Sequence, residues 1–246
     1  MKEHEISEFY NICWNNWNDF VRFYPASIHR RKFILKQIKK IKNWNSLADF
    51  GCGNALLINI LFKHFNNPIR KFFGLDVSPN QIEANKKKFP NIHFETLDLG
   101  AEIPQQKFDI ITCSEVIEHI LDYKKAIANI SSCLNPGGHV IVTVPKGEIF
   151  YTEQEFGHFR HFWEGQLIEE FEKNGVECIK CHAWGFPFHD LAKVVANINP
   201  RLSLKKFASG SLSPFSKFLF AITNLLYYLN FVPLGKQLYF VGRKKS

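Results

Sequence analysis

The stretch 47-LADFGCGNALLINI-60 decides how the rest of the chain is read. Leu47 to Phe50 is a short apolar run interrupted by Asp49, and Gly51-Cys52-Gly53 makes a tight turn. Leu56, Leu57, Ile60 and Leu61 then recur with the spacing of one helix face. The pattern is strand, glycine turn, helix. Glycine reaches backbone angles that other residues resist, and it lets a ligand approach the main chain closely. The turn lacks the third glycine of the dinucleotide fingerprint, because Leu56 stands there, and it lacks the Lys-Ser/Thr of a phosphate loop. Taken alone it is either a cofactor loop or a bare turn.

Outward from this stretch, strands and helices alternate. An amphipathic helix is expected over 33-FILKQIKKIKNW-44, with Ile34, Leu35, Ile38 and Ile41 on one side. KFFGLDV (71–77) reads as a strand. SPNQIEANKKKF (78–89) reads as a helix with a serine cap and a proline in its first turn. NIHFETLDL (91–99) and FDIITCSEV (108–116) are strand-like. DYKKAIANISSCL (122–134) is helical and is halted by the NPGG that follows. HVIVTVP (139–145), VECIKCHAW (176–184) and KQLYFVGRK (236–244) supply three more strands, with the helix WEGQLIEEFEKNG (163–175) before the second of them. Such alternation predicts an α/β fold, a doubly wound and mostly parallel sheet with helices on both faces. Residues 186–233 are too long for a hairpin and rich in Phe, Leu and Lys. They are expected to form a helical insertion over the mouth of the site. The expected organisation is one domain: an N-terminal helical lid (1–45), a core (46–185), the insertion (186–233) and a last strand (234–246).

The 246 residues are 46% hydrophobic, enough for a full core, and 22% charged, which excludes a disordered charged chain as the main body. The six cysteines have only one close pair, Cys178 and Cys181, and no second pair completes a zinc site. Free thiols in a reducing, cytoplasmic setting are expected. The first residues lack the apolar core of a signal peptide. The uncharged run from Phe218 to Gly235 falls short of a membrane span and reads as a buried or interfacial helix. Net charge is +8, and no acid follows Asp190. That asymmetry suits an anionic partner, a nucleic acid, a phosphorylated substrate or a membrane surface, or else marks solvated lysines on helix faces.

In open α/β sheets ligands lie outside the carboxyl ends of the strands. Acids stand there. Asp76 at the end of the second strand is placed to accept the hydroxyls of a ribose, or to sit at a helix N-terminus. Asp98, after the third, is placed to accept from an adenine amino group, or to form a turn. Together LADFGCGNALL, FFGLDVSPNQIEAN, NIHFETLDL, FDIITCSEVIEHI and LNPGGHVIVTVP resemble the class I S-adenosylmethionine-dependent methyltransferases over Leu47 to Pro145. The resemblance implies a seven-stranded sheet with the last strand antiparallel, and S-adenosylmethionine as cofactor. It implies that Asp49, Gly51 and Gly53 line the methionine part, that Asp76 with Val77 holds the ribose, and that Asp98 with Leu99 holds the adenine. Ser114 and Glu115 would stand beside the sulfonium.

The chain has neither the Asn/Asp-Pro-Pro-Tyr/Phe of amino-methylating DNA enzymes nor a Pro-Cys nucleophile after the fourth strand. SEVIEHI (114–120) would bring Glu115, Glu118 and His119 to one face if a helix begins there. These side chains, with His161, are candidate ligands for a divalent metal. EVIEH resembles both the ubiquinone-type O-methyltransferases and the metal-using small-RNA 2'-O-methyltransferases. GHFRHFW (157–163) resembles a segment common in metal-free small-molecule enzymes. His119, His158 and His161 are candidate bases, with His161 favoured and Glu115 positioning the acceptor. Tyr10, Trp14 and Trp17 are candidate lid residues. The expected function is methyl transfer to a small anionic or hydrophobic acceptor, O- rather than N-directed. A metal-dependent RNA methyltransferase and a membrane-associated protein with a degenerate cofactor fold are the rival readings.

Overall fold

The computed structural model describes residues 18–207 and 211–245, so Tyr10, Trp14 and Trp17 lie outside the described residues. The elements run α1 (Asn18–Phe23), α2 (Pro25–Ile38), β1 (Ser46–Phe50), α3 (Leu56–Phe65), β2 (Lys71–Asp76), α4 (Pro79–Lys88), β3 (His93–Thr96) and β4 (Phe108–Ser114). They continue with α5 (Tyr123–Ser132), β5 (Leu134–Pro145), α6 (Tyr151–Glu155), α7 (Glu164–Lys173), β6 (Val176–Trp184), α8 (Phe188–Ile198), α9 (Pro200–Phe207), α10 (Pro214–Leu226) and β7 (Gln237–Lys244). Seven strands form one sheet in the order β3-β2-β1-β4-β5-β7-β6. The β1–β2, β1–β4, β2–β3 and β4–β5 pairs are parallel, and β7 runs antiparallel between β5 and β6. This is the mostly parallel, doubly wound sheet expected from the sequence.

Two apolar layers cover the sheet. On one, Ile34 and Ile38 of α2 join Leu57, Ile58 and Leu61 of α3 against Leu47, Phe72 and Ile110. On the other, Ala126, Ile127 and Ile130 of α5 and Leu167 and Phe171 of α7 pack on Ile111, Val140 and Phe240. The central strands are buried on both faces and therefore read as unbroken apolar runs.

Several boundaries differ from the sequence reading. The first long helix begins at Pro25 and ends at Ile38, not at Trp44. Tyr24 is extended and Pro25 takes the first-turn position, where a missing N–H costs nothing. At the other end Asn43 turns left-handed, and Trp44 drops into the core beside Phe65 and Phe72. The NPGG after α5 does not stand as a separate breaker. It opens β5 as an irregular stretch, with the register jumping between Phe108↔Leu134 and Ile110↔His139. SEVIEHI makes a single 3-10 turn (Ile117–His119) and not a longer helix, because Glu115 sits at φ 58°. Glu115 and Glu118 consequently do not share a helix face.

Residues 186–233 hold α8, α9, α10 and a 3-10 turn over Tyr227–Leu229. Among the described residues no helix is long and apolar enough to cross a membrane. α10 buries none of its residues, so a buried helix is the wrong half of the expectation for that run.

Asp109 ties the sheet together at its entry edge. One carboxylate oxygen accepts from the N–H groups of Asn45 (2.8 Å) and Ser46 (3.0 Å), the other from the Asn135 amide (2.7 Å). Burial would raise its pKa, but these hydrogen bonds outweigh it and hold the carboxyl below its ordinary value. Asp109→Ala leaves two backbone donors without their acceptor. Urea denaturation is expected to show a loss of about 1–3 kcal/mol with an unchanged slope. A variant as stable as the parent would refute the role.

Candidate active site

The glycine turn is held by the end of β2. Gly51 and Cys52 donate their N–H groups to the Leu75 carbonyl at 2.8 and 2.9 Å. Gly53 donates to one oxygen of Asp76 (2.8 Å), and Ser78 donates to the other (3.0 Å). Asn85 of α4 donates to the Gly53 carbonyl at 2.7 Å. Gly51 has φ 74°, and a Cβ there would meet Val116 Cγ2 at 2.2 Å, so no larger residue fits. Asp76 is only 6% exposed. Burial raises its pKa, and the Gly53, Ser78 and Val77 N–H groups pull the other way.

Two cavities open at the carboxyl ends of the strands. The first, of about 390 Å³, is lined by Asp76, Val77, Asp98, Leu99 and by Leu75, Leu97 and Ile120. Asp98 lies just past β3 and accepts from the Gly100 N–H at 2.8 Å. Two carboxylates among aliphatic side chains suit a nucleoside, with its flat base and its hydroxyls. The second cavity, of about 290 Å³, is lined by Asp49, Asn54, Ser114, Arg30, His158, His189 and Lys193, among others. Gly51, Glu115 and His119 line both cavities and mark where they meet.

The sequence-derived residues are thus divided. Asp76, Val77, Asp98 and Leu99 share the first cavity, while Asp49 and Ser114 face the second. Gly53 and His161 line neither. Gly53 acts as scaffold through its bonds to Asp76 and Asn85. His161 stands behind His158, with its Nε2 3.1 Å from His158 Nδ1 and 3.4 Å from Glu153 Oε2.

Glu115 gathers distant elements at the junction. Its Oε1 accepts from Gln237 of β7 (2.9 Å) and from Thr143 of β5 (3.2 Å), and its Oε2 pairs with Arg30 of α2 (3.4 Å). Thr143 also bonds Ser114 at 2.8 Å. Arg30, Gln237, Lys193 and His189 were missed by sequence reading. They lie far along the chain, and no local pattern marks them.

Glu118 is fully buried, and neither of its oxygens has a hydrogen-bond partner among the described residues. Burial, and secondarily the Glu115 charge, push its pKa well up. Its donor atoms and those of His119 and His158 all lie within 4.8 Å of one another. Among the described residues the group with metal-compatible spacing is therefore Glu118, His119 and His158. Of the other expected ligands, Glu115 pairs with Arg30 and His161 stands behind His158. Burial lowers the pKa of His119 and of His161 to about 4 and lowers that of His158 as well, so all three imidazoles are neutral near pH 7.

The sheet order, the glycine turn and the strand-end acids define a nucleoside-binding α/β fold of the methyltransferase type. A family model described as methyltransferase domain matches residues 21–199. The chain belongs to that family, the S-adenosylmethionine-dependent methyltransferases. It is 32% identical over 142 residues to a ubiquinone biosynthesis O-methyltransferase of Coxiella burnetii, a match over 54% of this chain and 58% of that one. The match thus spans little more than half the length of that relative. Among solved structures, the N-methyltransferase NodS of Bradyrhizobium japonicum, in complex with S-adenosyl-L-homocysteine, superposes with a TM-score of 0.63 at 14% identity over 100% of both chains. The phosphoethanolamine N-methyltransferase 2 of Haemonchus contortus, in complex with S-adenosyl-L-methionine, gives 0.60 at 20% identity over 95% of this chain and 56% of its own. At such identities the likeness establishes the fold. The first cavity, with Asp76 and Asp98 among aliphatic side chains, fits the nucleoside part of that cofactor.

Asp49 gives a test of the site's electrostatics. It is buried, accepts from Thr112 Oγ1 at 2.6 Å, and burial pushes its carboxyl up to about 7. An acid with a raised pKa costs the folded state stability progressively as pH climbs from its ordinary value towards 7. Asp49→Asn should therefore raise Tm more at pH 8 than at pH 5. An equal change at both pH values would show that the carboxyl is not perturbed.

Proposed function

We propose that the chain transfers a methyl group from S-adenosylmethionine to an oxygen of a small acceptor bound in the second cavity. The observation that carries this reading is the meeting of the two cavities at Gly51, Glu115 and His119, one lined by nucleoside-type acids, the other walled by neutral imidazoles. The bound cofactor supplies an already activated methyl on a sulfonium. The chain's residues bind, orient and handle the proton.

Asp76 accepts from the ribose hydroxyls while its backbone bonds fix its orientation, and Asp98 with Leu99 holds the adenine edge. Asp49 faces the cationic methionine end. His119 is the proposed base, because it lines both cavities and burial keeps it neutral, leaving a ring nitrogen able to accept a hydroxyl proton. This replaces His161 in that role. His161, between His158 and Glu153, orients the wall. Glu115, held by Arg30, Gln237 and Thr143, positions the acceptor. The resemblance in sequence to an O-methyltransferase supports oxygen over nitrogen.

The acceptor is proposed to be anionic or hydrophobic, since Arg30, Arg31 and Lys193 stand in its cavity beside Phe20, Tyr24 and Leu57. A nucleic acid is not the proposed partner, and a cytoplasmic setting with peripheral membrane contact is. The helices of 186–233 are proposed as the cap, because α8 walls the second cavity with His189, Lys193 and Asn197. A second reading, a divalent cation on Glu118, His119 and His158, is favoured by the buried carboxylate of Glu118, which has no hydrogen-bond partner among the described residues and lies 4.0 Å from His119 Nε2.

Calorimetry of the cofactor, followed by transfer of labelled methyl to phenols, carboxylic acids and short RNAs with and without a chelator, tests these readings. Cofactor binding, phenol labelling and indifference to the chelator are expected. Absence of both binding and transfer defeats the proposal, and loss of transfer with chelator selects the cation reading. Asp76→Ala should weaken cofactor binding at least tenfold, since it removes a buried ligand-binding carboxylate. His119→Asn should lower kcat by about 10²–10⁴ with cofactor binding retained. Normal turnover in that variant would remove His119 as base.

A further inference from the structure

The helix α10 is built inside out. Towards the rest of the chain it presents a mixed side. Lys217 pairs with Asp19 at 2.9 Å, the Asn224 carbonyl meets His29 Nε2 at 3.2 Å, and Phe220 packs edge-on against Phe20 and Tyr24. Away from it the helix presents Phe215, Phe218, Ile222 and Leu225, and Phe218 and Leu225 are 62% and 67% exposed. A surface helix ordinarily does the reverse.

The apolar face continues past α10. Tyr228, Leu229, Phe231 and Val232 are all exposed. Across the insertion, α8 has two sides: Lys193 and Asn197 line the second cavity, whereas Leu191, Val195 and Ile198 stand in solvent. Among the described residues, most of the exposed large apolar side chains fall between Phe186 and Leu234. An exposed apolar surface of this extent on one face marks an interaction site.

Charge selects the partner. The chain carries no acid after Asp190. Arg201 of α9 and Lys32 and Lys36 of the neighbouring α2 are exposed, and the Lys32 ammonium lies 4.8 Å from the centre of the Tyr228 ring, at the edge of the apolar face. A second copy meeting this face through a two-fold axis would set cations against cations, and the one acid of the insertion, Asp190, is turned inward to the Lys236 N–H (2.9 Å) and His189 and does not pair them. An anionic lipid surface covers the apolar side chains and neutralises the cations together. α10 has 13 residues, too few to span a bilayer, so it would lie along the interface.

We propose that the outer face of residues 186–234, centred on α10, docks the protein on an anionic lipid bilayer, with the α8 wall of the second cavity turned to the headgroups. Docking stands independently of methyl transfer; only its consequence, that the acceptor is an amphiphile taken from the bilayer, rests on the function proposed above.

The test is co-sedimentation of the full chain with vesicles of equal parts phosphatidylglycerol and phosphatidylcholine, against phosphatidylcholine alone. Affinity at least tenfold higher for the anionic vesicles is expected, falling as salt rises. Phe218→Glu with Leu225→Glu should cut that affinity at least tenfold while circular dichroism and cofactor binding stay as in the parent. Failure to bind anionic vesicles, or equal binding by the double variant, overturns the proposal. So does a lipid-free dimer that the double variant converts to monomer, which would give the face to a second copy. Vesicle binding without cofactor binding would leave the docking intact and remove the methyl-transfer reading.

Discussion

A buried carboxylate holds the cofactor end of this fold in place. Asp76 closes β2, and its two oxygens take the N–H groups of Gly53 and Ser78. The same strand end takes the N–H groups of Gly51 and Cys52 on the Leu75 carbonyl. The glycine turn and the start of α4 are therefore fastened to one point. Each oxygen keeps acceptor capacity beyond its backbone bond. The geometry that fixes the loop also leaves the carboxylate able to receive a ligand's hydroxyls. Its cost is desolvation, visible as a raised pKa.

Glu115 plays the corresponding part at the junction of the cavities. Its left-handed backbone ends β4 and prevents a continuous helix through SEVIEHI. That same conformation turns its side chain towards Arg30, Thr143 and Gln237, contributed by α2, β5 and β7. Helix α2 and the last strand are thereby joined to the carboxyl ends of the central strands. Glu118, three residues on, is buried with two neighbouring imidazoles. Two acids that look alike in sequence have different environments, one solvated and paired, the other dry.

The insertion between β6 and β7 connects the site to the surface. Its inner residues join an aromatic cluster of Trp184, Tyr227 and Tyr239, on which His29 of α2 stacks. Its outer residues leave apolar surface in water. α8 faces both ways, and the second cavity and the exposed face are separated by one helix. Of the hydrophobic run from Phe218 to Gly235 only Tyr227 is buried in the core, and the rest lies at the surface.

The strands β1, β6 and β7, the glycine turn, and the acids Asp76 and Asp98 were legible in the sequence, because each depends on short-range periodicity and turn chemistry. The ends of α2, the irregular start of β5 and the 3-10 turn were not, because a left-handed residue or a register shift decided them. By itself the sequence determined the doubly wound sheet and the acids at its strand ends, since burial on both faces forces unbroken apolar runs and fixes which residues follow them. Only the tertiary structure decided that His158 meets Glu118 and His119, that Gly53 is bonded to Asp76 and Asn85, and that α10 faces outward. Those outcomes turn on which groups meet across 23 residues of chain for Gly53 and Asp76 and 195 for Asn224 and His29, and burial, charge pairing and desolvation act on that meeting and not on the local pattern.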